Sequence, residues 1–179
     1  MDGLLARTAR GENVKYLPFW GHRPRSDGRL GESCLSQWWP APFTVDSVTY
    51  ASAEHWMMAG KARLFGDAGA EALAVAAGSP AEAKKVGRLV EGFDDAVWAR
   101  ERFALVVAGS VHKFGQDPAL RAYLLGTGER VLVEASPMDR IWGIGLAKDD
   151  PRTAHPGSWR GLNLLGFALM EARARLRAG

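Results

Sequence analysis

Apolar and polar positions along the chain resolve into a series of helical segments with few extended ones. Phe43 to Val45 and Val48 to Tyr50 are short β-favouring segments separated by Asp46-Ser47, which predicts a hairpin. Ser52 can cap a helix over roughly Ala53 to Phe65 that Gly66 stops, and a second helix covers about Ala68 to Ala77. Ser79-Pro80-Ala81-Glu82 combines an N-cap, a first-turn proline and a capping-box glutamate, so a third helix starts there and runs to about Val90. Asp94 or Asp95 opens a fourth that reaches about Lys113, and Asp117-Pro118 starts a short fifth that ends before Gly126. Arg130 to Glu134 predicts a strand, and Leu162 to Arg177 an amphipathic closing helix.

Two stretches have no period. Residues 16 to 42 carry Pro18, Pro24, Pro40, Pro42 and several glycines, and read as a long ordered loop. Long aromatic-rich loops of that kind are commonly functional. Residues 137 to 161 form a second irregular stretch. Residues 1 to 15 read as a flexible leader, and 16 to 179 as a single domain. Because strands do not alternate regularly with helices, the expected class is α+β, predominantly helical with a few short strands.

Composition narrows the function. With 179 residues and 47% hydrophobic positions, the chain can bury a core without help from metal or disulfide. Cys34 is the only cysteine, which excludes an internal disulfide and suits a reducing cytoplasm. No apolar run approaches the ~20 residues of a membrane span, and Met1 to Gly11 lacks the centre of a secretory signal, so a cytoplasmic location is expected. The net charge is 23 − 20 = +3 with scattered basic residues, so sequence-specific nucleic-acid binding is not expected. Arg173, Arg175 and Arg177 suit a helix C-terminus, where they complement the dipole. His22, His55, His112 and His155 are never paired at metal spacing, so a zinc site is not expected. Gly143-Ile144-Gly145 is too short for a dinucleotide fingerprint, since Lys148 stands where a third small residue is required. Seven tryptophans are a surplus that serves either a core or the gripping of a flat base.

Two segments concentrate chemistry. On the helix beginning at Ala53, Glu54 and Lys61 fall within about 20° of one another and about 10 Å apart along the axis. That separation suits a sugar ring between them; alternatively, Glu54 merely favours a helix start and Lys61 snorkels. Glu134 and Asp139 follow a predicted strand together with Trp142 and Gly143, at the kind of loop where sites are built, although Asp139 can equally serve its own turn. Arg88 and Lys113 are candidates for holding a phosphate, and Gly87 permits the close approach of a ligand or of another helix.

These segments together resemble the NADAR superfamily, also called YbiA-like. The resemblance is carried by Gly31 to Gln37 with Ala41-Pro42-Phe43, Ser52 to Met58, Lys61-Ala62, Gly87-Arg88, Trp98, Lys113-Phe114, Leu132-Val133-Glu134, Asp139 to Gly145 and Gly161 to Gly166. It runs from about Phe19 to Arg173. It implies the YbiA-like fold and an N-glycosidase that hydrolyses a ribosyl C–N bond without a cofactor. The implied substrates are ribosylaminopyrimidine 5′-phosphates of riboflavin biosynthesis, in a metabolite-repair role, or ADP-ribose attached to guanine. The implied catalytic set is Glu54, Asp139 and Lys61, with Phe19, Gly21, Arg88, Trp98, Lys113, Glu134, Trp142 and Gly143 binding substrate. Asp139 or Glu54 would serve the anomeric carbon or its water, and the other acid or Lys61 would protonate the leaving nitrogen. Lys61 acting as a Schiff-base amine is the alternative chemistry, and a non-catalytic ADP-ribose or NAD binding module the alternative function. The segment Leu146 to Trp159 and the loop at residues 19 to 39 are longer than in compact members of the family.

Overall fold

A computed structural model describes residues 1–179. It contains seven α-helices and four short strands, in keeping with the α+β, mostly helical expectation. The chain forms two compact units, residues 37–121 and residues 1–36 with 122–179.

In the unit of residues 37–121, strands β2 (Phe43–Val45) and β3 (Val48–Tyr50) form the expected hairpin, with Phe43 paired to Tyr50. Asp46 and Ser47 both adopt positive φ, the geometry that matches a two-residue turn to strand twist. Helix α2 (Ala53–Leu64) is the centre of this unit and packs against α3 (Ala68–Ala76), α4 (Pro80–Gly87) and α5 (Asp95–Gln116). Residues Ala53 to Gly60 of α2 are all buried, so the helix is enclosed on every side. Close approach is purchased with glycine: a Cβ on Gly109 would strike the Trp56 ring, whose Nε1 donates to the Leu105 carbonyl at 2.9 Å. The capping box read at Ser79 is in place. The Ser79 hydroxyl accepts from the Glu82 amide at 3.2 Å and the Glu82 carboxylate accepts from the Gly78 amide at 2.8 Å. Helix α4 ends at Gly87 rather than near Val90, leaving Leu89 exposed.

In the other unit, β1 (Tyr16–Phe19) pairs in parallel with β4 (Val131–Glu134), placing Phe19 opposite Glu134. Val131 to Val133 are fully enclosed, as a parallel strand covered on both faces requires. β1 lies within the segment read from sequence as a loop; a two-stranded sheet bonds β1 on one side only, which tolerates Pro18. The first fifteen residues, read as a leader, carry α1 (Asp2–Ala9), which sets Leu4 into a core with Val131, Val133 and Ile144. A single buried anchor leaves too faint a period to read. Helix α6 spans Pro118–Gly126, and α7 (Leu164–Ala178) packs along β4. A Cβ on Gly166 would collide with the Leu132 carbonyl oxygen, so only glycine allows that contact. Asn163, at φ 54°, precedes α7; its Oδ1 accepts from the Glu134 amide and its Nδ2 donates to the Leu132 carbonyl, both at 2.9 Å. One side chain thereby takes the part of a neighbouring strand along β4. No helix is long and apolar enough to cross a membrane.

Candidate active site

Glu54 lies in the first turn of α2 and is 3% exposed, with its amide bonded to the Gln37 carbonyl at 3.0 Å. A carboxyl group in this position is costly to bury. The next residue, His55, is a clamp. Its Nε2 faces the Ala77 carbonyl at 3.0 Å, which can only accept, so that nitrogen carries a proton, and Nδ1 is hydrogen-bonded to the Ser52 hydroxyl at 2.7 Å. Ser52 occupies the N-cap position as read from sequence, but its hydroxyl is engaged with His55 and makes no cap bond.

Lys61, two turns further along α2, donates to the Gly87 carbonyl at 2.6 Å. Its ammonium stands 4.0 Å from the Phe93 ring centroid and 5.7 Å from that of Trp98, which is itself buried. Burial holds the Lys61 pKa below its ordinary value, and Asp95 opposes that shift. Gly87 has the bland explanation: a Cβ there would strike the Met58 sulfur, so the glycine admits another helix. Arg88 is exposed at the C-terminal cap of α4, whereas Lys113 on α5 is buried, 4.8 Å from the Phe114 centroid.

In the strand-bearing unit, Phe19 is buried at the end of β1 and Gly21 follows at φ +75°. Glu134 is half-buried at the end of β4, and its carbonyl accepts the amides of Ser136 at 3.0 Å and Ile144 at 2.9 Å. Gly143 is held against that strand end, since a Cβ would come within 2.8 Å of the Glu134 carbonyl oxygen.

Asp139 fills the turn role, one of the two that the sequence left open for it. Its Oδ1 accepts the amides of Ile141 at 2.8 Å, Trp142 at 2.7 Å and, more distantly, Gly143 at 3.4 Å. Its carbonyl accepts Gly145 N at 3.0 Å. These are the bonds of a residue that organises its own loop and fixes the backbone of half-buried Trp142, the turn role that sequence had offered as the alternative.

Sequence reading missed Trp20, 59% exposed beside a cleft of about 550 Å³ that also involves Ala135, Pro137, Ala147, Lys148 and Asp149. Its signal was its place in the tryptophan surplus, in a proline-rich segment beside Phe19.

Comparison with known proteins bears on this arrangement. A family model described as the NADAR domain matches residues 18–177. The chain is 38% identical over 167 residues to N-glycosidase R617 of Acanthamoeba polyphaga mimivirus, covering 90% of this chain and 96% of that protein. It is 35% identical over 102 residues to the riboflavin biosynthesis protein PYRR, chloroplastic, of Zea mays, covering 55% of this chain and 15% of that one. Among solved structures, the NMR structure of the E. coli protein YbiA aligns with a TM-score of 0.71 at 27% identity, covering 92% of this chain and 88% of that one.

Proposed function

The chain belongs to the NADAR domain family, and on that premise we propose that it is an N-glycosidase that hydrolyses the ribosyl C–N bond of a 5′-phosphorylated riboside. The observation that carries this reading is Glu54, a carboxyl group 3% exposed on an otherwise enclosed helix. The relative named N-glycosidase supports the reaction class. The relative named for riboflavin biosynthesis favours a ribosylaminopyrimidine 5′-phosphate as substrate.

In this proposal, the bond between C1 and the leaving nitrogen breaks with its electron pair going to nitrogen, and C1 acquires oxocarbenium character. The Glu54 carboxylate stabilises that charge and takes a proton from the water that adds to C1. Lys61 gives a proton to the departing nitrogen; an ammonium with a depressed pKa is a stronger acid than a free lysine. Arg88, exposed at its helix cap, holds the phosphate. The products are ribose 5-phosphate and a heteroaromatic amine, so water is the only co-reactant.

The test is incubation of the protein with a ribosylaminopyrimidine 5′-phosphate, and separately with guanine-linked ADP-ribose in an oligonucleotide. Release of ribose 5-phosphate from the first, measured by mass spectrometry and lost in Glu54→Gln, is expected. Release from neither substrate overturns the reading, and tight ADP-ribose binding without turnover would make the protein a binding module.

A further inference from the structure

We propose that the cleft walled by Trp20 and rimmed by Asp149 is a binding subsite for an amino-substituted heteroaromatic ring. This deepens the N-glycosidase reading and rests on it for the ring's origin, since that is the chemical class of the group released. The cleft lies at the C-terminal ends of the two parallel strands: Trp20 follows Phe19, the last residue of β1, and Ala135 follows Glu134, the last of β4. Strand ends of this kind are where ligands of open sheets bind. Its volume of about 550 Å³ is within the usual range for small-molecule sites.

The walls define the occupant. Ala135, Pro137 and Ala147 make the surface apolar, and Trp20 leaves an indole 59% exposed. An indole left in water at a concave surface forgoes the gain of burial unless a partner covers it, and its flat face suits an aromatic ring. Charge decides which ring. Lys148 is ion-paired to Glu32, and Asp150 is paired to Arg152, which pulls the Asp150 pKa down to about 2. Asp149, between them, takes part in no ion pair and is exposed at the cleft. With the lysine neutralised and a carboxylate left over, the rim does not favour a phosphate. It favours a group that donates hydrogen bonds, such as the amino substituents of a pyrimidine. Trp20 belongs to the long loop at residues 19 to 39 and Asp149 to the long segment after Trp142, so both extended segments of the sequence contribute to one cleft.

Calorimetric titration with 2,4-diamino-6-hydroxypyrimidine tests the subsite directly. Wild type should bind it, Trp20→Ala should weaken binding about tenfold or more, Trp20→Phe should retain most of the affinity, and Asp149→Asn should lose severalfold. With unsubstituted pyrimidine as probe, the Asp149→Asn effect should vanish while the Trp20→Ala effect remains. Absence of binding by wild type, or equal affinity in Trp20→Ala, overturns the proposal. Trp20-dependent binding without hydrolysis of any riboside keeps the subsite and overturns the catalytic reading.

Discussion

Two carboxylates that look alike in the sequence have opposite fates in the structure. Glu54 stands in the first turn of a helix, where its own amide is taken by the Gln37 carbonyl and that of Trp56 by the Ser52 carbonyl. Asp139 stands in a loop whose amides have no ladder, and its Oδ1 gathers those of Ile141 and Trp142. A loop acid is drawn to the backbone donors around it.

The sharpest way to break this contrast is kinetic. Glu54→Gln should lower the rate of riboside hydrolysis by about 10²- to 10⁴-fold, while Asp139→Asn, which keeps the Oδ1 acceptor, should stay within about tenfold. Equal losses in steady-state assays would put Asp139 back among the reacting groups. Next in size, Gly166→Ala should destabilise by about 3 kcal/mol or more, because backbone rather than a flexible side chain obstructs the added carbon; urea unfolding measures it. Asp139→Ala should cost about 2 kcal/mol through loss of charge-assisted bonds to its loop.

The smallest effect concerns Lys61. Its folded pKa is depressed, so between that value and the ordinary 10.5 the unfolded chain binds more protons than the folded one. Stability then rises with pH through that window. Wild type should gain on Lys61→Met as pH climbs through it, and a flat difference in urea midpoints would remove the burial argument. The turnover rate should fall over the same window if the ammonium donates its proton; a rising rate would assign Lys61 to action as a free amine.

The helical unit was largely legible because its signals are local. Ser79 with Glu82, the Asp46-Ser47 turn and Asp94, which accepts from the Val97 amide at 2.8 Å, each act within a few residues. The pairing of β1 with β4 was not, because it joins Tyr16 to Val131 across most of the chain and hides behind Pro18. Within the candidate site, periodicity placed Glu54 and Lys61 on one helix, but the occupation of Asp139 and the exposure of Trp20 depend on loop conformation, which residue spacing does not encode. Gly87 shows the same boundary: the sequence announced a close approach, and only coordinates named Met58 as the visitor.

The clamp at His55 has a consequence for how this protein can diverge. With one ring nitrogen on the Ala77 carbonyl and the other on the Ser52 hydroxyl, the rotational phase of α2 is pinned one residue away from Glu54. A slip of one position would swing the carboxylate through about 100°. Substitutions around Ser52, His55 and Ala77 are thus constrained together, because each would release the angular setting of the helix.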